Sequence, residues 1–152
     1  MPRAPFQVVA YPYRRDANGN PEYCLFRRSD AGWWQGISGG GEDDETPFEA
    51  VRREASEEAG IPAESSFLRL DAMDSVPVTE FRDSSAWGED VYVIPKYTYG
   101  VAIENRAIVL SSEHTEHAWV GYAEAYQMLE YDGDKTALWE LNRRLLGRGP
   151  RG

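Results

Sequence analysis

The chain has 152 residues, of which 41% are hydrophobic and 28% are charged, as expected for a globular domain with a real core. We therefore predict one domain spanning residues 1–152. With 26 acidic and 16 basic residues the net charge is −10, which argues against a nucleic-acid polymer or an anionic membrane as the main partner. A small phosphorylated ligand stays compatible with this charge, because bound cations reverse the local field.

No apolar run is long enough to cross a bilayer, and no signal peptide is visible. We expect a cytoplasmic protein that is a monomer or a homodimer. Its single cysteine, Cys24, cannot form an internal disulfide and lies in an apolar strand pattern. We expect it to be a small core residue.

Alternating apolar patterns, turn residues and helical spacing predict the elements of the fold. In chain order, the predicted strands are Gln7–Tyr13, Tyr23–Arg28, Trp34–Ser38, Phe67–Met73, Val76–Thr79, Val91–Val101, Ile108–Leu110 and Glu116–Val120. The predicted helices are Pro47–Ala59, Ala123–Leu129 and Lys135–Leu146, with a loop over Arg82–Asp90. Pro95 indicates a strand edge or a bulge, and residues from Gly147 onward should fray. This order predicts an α/β sandwich: a mixed sheet with flanking helices.

The first predicted helix carries clear start and stop signals. Thr46 is suited to the N-cap, Pro47 to the first helical position, and Glu49 to closing a capping box. Gly60 and then Pro62 mark the end of the helix.

Three glutamates occupy the second half of this helix. At about 100° per residue, Glu54 and Glu58 lie on one flank of an apolar stripe, which is formed by Phe48, Val51, Ala55 and Ala59. Glu57 lies further round, near Arg53, which can bridge either Glu49 or Glu57. Like charges one turn apart destabilise a helix, and a hard divalent cation with oxygen ligands would offset this cost. A solvated acidic face is the alternative interpretation.

Residues 39–61 read GGGEDDETPFEAVRREASEEAGI. They match the pattern G-x5-E-x7-R-E-U-x-E-E-x-G-U at its polar and glycine positions, and Ala55 and Ile61 fill the apolar positions U. This stretch resembles the Nudix box. The resemblance implies a Nudix-type α/β/α sandwich and a hydrolase that uses Mg²⁺, with Mn²⁺ possible, to cut a nucleoside diphosphate linked to another moiety.

Other stretches resemble the bacterial dihydroneopterin triphosphate pyrophosphohydrolase branch, often called dATP pyrophosphohydrolase. Leu25–Asp30 matches a strand that ends in a basic pair and an acid, and Trp34–Gly39 resembles W-Q-x-V-T-G. Ile37-Ser38 stands where most Nudix enzymes have Pro-Gly. Ser112-Glu113-His114, followed by Ala118–Val120, resembles T-E-H…W-L.

The resemblance also implies roles for individual residues. Glu54 and Glu58 would ligate Mg²⁺, Glu57 would be a ligand or the proton acceptor, and Glu113 would be a further acidic ligand. Without the resemblance, Glu113 could belong to an ordinary loop. His114 and His117 lack the spacing of a zinc site.

Substrate contacts are implied at Arg27 and Ser38, and Arg3 is an additional candidate. The alternatives are a strand-end cation at Arg27 and a polar turn residue at Ser38. Adjacent strand residues face opposite ways, so one of Trp33 and Trp34 should pack in the core while the other is available to stack on a base. Selectivity is expected in the loop Val76–Asp90 and in the aromatic residues Trp33, Trp87 and Tyr97.

These features predict a Mg²⁺-dependent pyrophosphohydrolase. Its substrate would be dihydroneopterin triphosphate or a dNTP such as dATP, cleaved to the monophosphate and pyrophosphate. Two alternatives stay open at this point: a Nudix hydrolase of dinucleoside polyphosphates or nucleotide sugars, and a non-catalytic nucleotide-binding Nudix module.

Overall fold

The computed structural model describes residues 3–82, 84–104, 108–112 and 114–147. The strands are β1 Arg3–Arg15, β2 Pro21–Arg28, β3 Trp34–Gln35, β4 Ile37–Glu42, β5 Phe67–Pro77, β6 Val93–Ala102 and β7 His114–Gly121. The helices are α1 Pro47–Ala59, α2 Tyr122–Met128 and α3 Asp132–Leu145. None of the described helices is both long and apolar enough to cross a membrane.

All seven strands join one mixed sheet in which β1 is central. One edge of β1 pairs in parallel with β6, which is flanked by antiparallel β5. The other edge pairs with β4 along its first part and with β2 only at Tyr13–Arg15. β2 then pairs with β3 at Phe26 and Arg27, and with β7 along its far edge. β3 and β4 therefore fill the opening between the diverging strands β1 and β2.

Helices cover both faces of this sheet, which confirms the predicted sandwich. Val8 and Ala10 of β1 pack in the cluster that contains α1, whereas Val9 and Tyr11 pack in the cluster that contains α2 and α3. Because both faces are covered, β1 reads as a nearly continuous buried run. Cys24 is fully buried as predicted, and burial raises the pKa of its thiol to about 12.

The boundaries of α1 are those predicted. Thr46 Oγ1 accepts a hydrogen bond from the Glu49 amide at 3.2 Å, and Glu49 Oε1 accepts one from the Thr46 amide at 2.9 Å. Gly60 ends the helix in the left-handed region, with φ of 69°. The predicted apolar stripe needs one correction, because Phe48 is 43% exposed and meets Phe67 and Tyr99 edge-on at the rim of the core.

The predicted strand Ile108–Leu110 is wrong. In this segment the Val109 amide donates to Ala59 O, and the Ser111 amide donates to Glu58 O. The segment therefore supplies donors to carbonyls at the end of α1, which have no partner within the helix.

The region of the predicted strand Val76–Thr79 also differs from the prediction. β5 runs through to Pro77 with a shifted register between Arg69 and Met73, and a 3-10 turn follows at Val78–Glu80. A second 3-10 turn, Ser84–Trp87, lies in the predicted loop.

Pro95 stands where β6 pairs only with β5, since pairing with β1 begins at Lys96. The missing proline N–H is therefore not required by β1, as the predicted edge position implied. The predicted fraying beyond Gly147 lies outside the described residues.

Candidate active site

A cavity of about 490 Å³ opens where β4 passes the C-terminal half of α1. Its wall mixes both signs of charge: the carboxylates are Glu54, Glu58, Asp30 and Glu80, and the cations are Arg3 and Arg28. Ser38, Gly39 and Gly40 of β4 form part of the same wall. A concave site with converging charged groups is the usual location for binding and chemistry.

Glu58 is the most buried of the carboxylates in this wall, with only 3% of its surface exposed. Its Oε2 accepts a hydrogen bond from the Ser38 amide at 3.2 Å. A carboxylate is costly to bury unless it is hydrogen-bonded and compensated by positive charge. The burial of Glu58 therefore indicates a specific role for this side chain.

Glu54 lies one helical turn earlier and faces Gly39. Its side chain is 13% exposed, and a Cβ atom built at position 39 would collide with its carboxyl group. Only glycine allows so close an approach of the β4 backbone. The first glycine of the motif therefore makes the space in which the Glu54 carboxylate sits.

Arg53 of α1 ties β4 and the turn that follows it to the helix. Its Nε and Nη2 donate to Glu45 at 2.8 and 3.0 Å, and Nη2 also donates to Gly40 O at 2.9 Å. Its Nη1 donates to Glu54 at 3.0 Å and to Glu57 at 3.3 Å. The predicted bridge to Glu57 is thus present. The hydrogen bonds from Arg53 hold the pKa of Glu45 below its ordinary value.

The predicted acidic ligands do not all converge. Glu54 and Glu58 line the cavity, whereas the Glu57 side chain is 60% exposed on the outer side of Arg53. Glu113 lies outside the described residues. Within the described ranges, no three aspartate, glutamate, histidine or cysteine side chains are close enough together to hold a metal ion. The Glu54–Glu58 pair nevertheless fits a hard divalent cation, because both side chains offer carboxylate oxygens beside the same cavity.

The basic pair at the end of β2 separates into two environments. Arg27, the predicted substrate contact, is not in the cavity wall, and it contacts Glu116 Oε1 at 3.1 Å and Gly32 O at 3.0 Å. Arg28 lines the cavity and makes two hydrogen bonds of 2.7 Å to Asp30. The sequence indicated the basic pair, but the opposite orientation of adjacent strand residues places the second arginine at the cavity.

The other predicted substrate contacts do reach the cavity. Ser38 lines it and donates its amide to Glu58. Arg3 lines it from the start of β1, with its guanidinium 5.6 Å from the centre of the Phe81 ring. Trp87 donates its indole N–H to Arg3 O at 2.6 Å, which ties the second 3-10 turn to β1.

A second cavity of about 470 Å³ adjoins the first and shares with it a wall that includes Arg28, Ser38, Glu80 and Phe81. Four side chains from distant parts of the chain complete it: Trp33, Lys96, Tyr131 and Asp134. Sequence reasoning missed the last three, because no motif connects them.

The two adjacent tryptophans face opposite ways, as predicted. Trp33 lines the second cavity, whereas Trp34 packs against the core beneath α2 and α3. Tyr97 packs against the core on the α1 side, beside Phe6 and Arg69. It lines neither of the two cavities.

Comparison with known proteins places the chain in a family. The model of the NUDIX domain matches residues 5–140. Nudix hydrolase 13, mitochondrial, of Arabidopsis thaliana is 34% identical over 116 residues, which are 73% of this chain and 54% of that protein. The chain thus spans about half the length of this plant relative.

Two bacterial proteins match over more of their length. The dihydroneopterin triphosphate diphosphatase of Haemophilus influenzae is 26% identical over 133 residues, covering 86% of this chain and 83% of that protein. A solved structure from Listeria monocytogenes, described as a NUDIX hydrolase, is 36% identical, with a TM-score of 0.84, covering 94% of this chain and 95% of that one. Together with the matching domain model and the close approach of Gly39 to Glu54, these similarities show that the chain belongs to the Nudix hydrolase family.

Proposed function

We propose that this Nudix hydrolase cleaves a compact triphosphate, dihydroneopterin triphosphate or a dNTP such as dATP, to the monophosphate and pyrophosphate. The observation that carries the proposal is the placement of Glu54 and Glu58 in one cavity wall with Arg3 and Arg28. The relative from Haemophilus influenzae supports the substrate class.

Glu54 and Glu58 are the residues we propose to hold Mg²⁺, or Mn²⁺ in its place. When bound, such an ion neutralises phosphate charge and lowers the pKa of a coordinated water. Glu57 lies outside the cavity wall but shares the Arg53 guanidinium with Glu54, which links it to the pair. It stays our candidate for a further ligand or for the proton acceptor, and Glu113 stays a predicted ligand.

Arg28 and Arg3 are the proposed phosphate contacts. The chain is strongly acidic overall, so a polyanionic substrate needs local positive charge in addition to a metal ion. Both guanidinium groups line the cavity that contains Glu54 and Glu58. Bidentate hydrogen bonding of arginine to phosphate oxygens would orient the chain of phosphates and stabilise the charge that develops during cleavage.

The experiment is a hydrolysis panel with purified protein and Mg²⁺. Dihydroneopterin triphosphate and the four dNTPs are compared with diadenosine polyphosphates and nucleotide sugars, and pyrophosphate and phosphate are measured separately. We expect pyrophosphate release from a triphosphate and its loss in EDTA. Turnover unchanged by EDTA, or absent with the whole panel, would overturn the proposed hydrolysis. A preference for diadenosine polyphosphates or nucleotide sugars would overturn the substrate class alone.

A further inference from the structure

We infer that the second cavity binds the ring system of the substrate and selects rings that carry the 2-amino-4-oxopyrimidine edge shared by guanine and pterins. The inference deepens the proposed function and rests on it for what occupies the adjoining first cavity. It would narrow the proposed substrates to pterin or guanine triphosphates and disfavour dATP. The two cavities are contiguous, because Arg28, Ser38 and Phe81 line both of them. One substrate could therefore place its phosphates in the first cavity and its ring in the second.

The first sign of a ligand in the second cavity is an unused donor. The Trp33 indole Nε1 is buried and has no hydrogen-bond partner among the described residues. A buried donor without a partner costs free energy, and an indole can only donate. The Trp33 ring meets the Tyr131 ring edge-on at 5.9 Å, and a bridge between Trp34 and Leu129 connects their two segments. The indole ring is thus held in place by its neighbours, and a ligand with an acceptor atom would satisfy its N–H.

The second sign is a fixed acceptor in the same cavity. The side chain of Asp134 is only 4% exposed, and its Oδ1 receives the Lys96 ammonium at 2.7 Å and the Tyr11 hydroxyl at 2.9 Å. Both contacts use the same oxygen, so Oδ2 is the atom that they leave to a ligand. Asp74 adds a second carboxylate to the lining.

The donors and acceptors line one cavity, and together they match one kind of ring edge. Trp33 N–H and the Lys96 ammonium offer donors to a ring carbonyl, while Asp134 and Asp74 accept ring N–H and amino protons. A 2-amino-4-oxopyrimidine edge presents a carbonyl, an N–H and an amino group side by side. Adenine and cytosine present an amino group beside ring-nitrogen acceptors, and uracil presents one N–H between two carbonyls. These three rings satisfy fewer of the protein groups, and each buried polar group left unpaired lowers affinity.

The test uses phosphate-free ligands without Mg²⁺, so that binding is independent of hydrolysis. Guanosine, neopterin, adenosine and cytidine are titrated separately into ¹⁵N-labelled protein, and the indole N–H signals of its five tryptophans are followed. We expect guanosine or neopterin to shift the Trp33 signal and leave that of Trp139 in place. Adenosine and cytidine should bind about three- to ten-fold more weakly, the effect of one lost hydrogen bond. Comparing the guanosine and neopterin titrations shows whether the cavity prefers a guanine ring or a pterin ring.

The matched variants are Trp33→Phe and Trp139→Phe. Trp33→Phe keeps an aromatic ring but removes the N–H, so binding of the preferred ligand should weaken about three- to ten-fold. Trp139 is 52% exposed on α3 and lines neither cavity, so Trp139→Phe should bind as the wild type does. The four remaining indole signals report whether each variant is folded. If a variant does not fold, the titrations of the wild-type protein still test the inference.

Two results would overturn the inference: equal affinity for all four ligands, or a Trp33 signal that none of them moves. An active hydrolase with either result would leave the proposed function intact. An inactive protein that binds guanosine or neopterin at Trp33 would overturn the proposed function and support the ring site.

Discussion

The two adjoining cavities are encoded in different ways. The part of the first wall that contains Glu54 and Glu58 comes from one stretch, in which β4, a short turn and α1 follow one another between residues 37 and 59. The second is assembled from the β2–β3 connection, β6 and the start of α3, which are far apart in sequence. The contrast shows that one cavity wall can be local in sequence, while the wall of its neighbour depends on tertiary structure.

This difference has a physical basis. Helical periodicity alone directs Glu54 and Glu58 to one flank of α1, and Gly39 makes room for the first of them. Lys96 reaches Asp134 only because β6 lies parallel to β1, with Gln7 opposite Lys96, and because α3 packs across that face. Neither condition is visible in a single sequence.

The largest expected effect, on the first cavity, comes from Glu58→Gln. Loss of one carboxylate from the proposed metal pair should lower turnover by about 10²-fold or more. Folding should survive, because the variant also removes one of two neighbouring like charges. The control is Glu49→Gln, which makes the same charge change on α1 and keeps a capping-box side chain. Near-normal hydrolysis by Glu58→Gln would mean that the acidic face has no catalytic role.

Gly39→Ala should disrupt the same cavity wall through β4 instead of α1. The new methyl group would meet the Glu54 carboxyl group, and overpacking of this kind costs about 1–3 kcal/mol. Thermal unfolding and hydrolysis should both show the loss. Gly121→Ala is the control, since nothing lies within 4 Å of its added Cβ, and a similar loss in both variants would contradict the close approach at residue 39.

Arg28→Ala tests the residue that lies where the two cavities meet. Arg28 lines both, so its removal should raise KM by about ten-fold through the loss of a charge-assisted hydrogen bond. Arg27→Ala, which removes the contact with Glu116, is the matched comparison and should change KM less. Steady-state kinetics with one triphosphate decides between them, and the reverse order would restore the original prediction that Arg27 contacts the substrate.

The smallest expected effect concerns acid stability at the Arg53 clamp. Hydrogen bonds from Arg53 lower the pKa of Glu45 from its ordinary value of 4.5, so the folded state favours the carboxylate. The resulting stabilisation is present above pH 4.5 and is lost as the pH falls through the lowered pKa. The Arg53 and Glu45 side chains are 23% and 21% exposed, so solvent still screens the pair, and its contribution is roughly 0.2–1 kcal/mol. Thermal unfolding from pH 7 to pH 3 should show a smaller acid-induced loss in Glu45→Gln than in wild type, and equal losses would contradict the clamp.

Much of the fold could be predicted from the sequence because short local patterns determine its helices and strands. The capping box and Gly60 define α1 to the residue, and the alternation of Trp33 and Trp34 gives the correct facing. The segment Ile108–Leu110 could not be predicted, since its apolar residues resemble a strand while its backbone caps α1. The sequence could not show that Arg28, and not Arg27, lines the first cavity, because this depends on which face of β2 meets that cavity.

The most direct test of the central claim is Mn²⁺ binding to substrate-free protein, followed by the loss of the free-ion signal in electron paramagnetic resonance. We predict that wild type and Glu49→Gln bind Mn²⁺ and that excess Mg²⁺ displaces it. Glu54→Gln and Glu58→Gln should bind at least about ten-fold more weakly, since each removes a proposed oxygen ligand. Equal affinity in all four proteins would contradict the claim that Glu54 and Glu58 hold the metal ion.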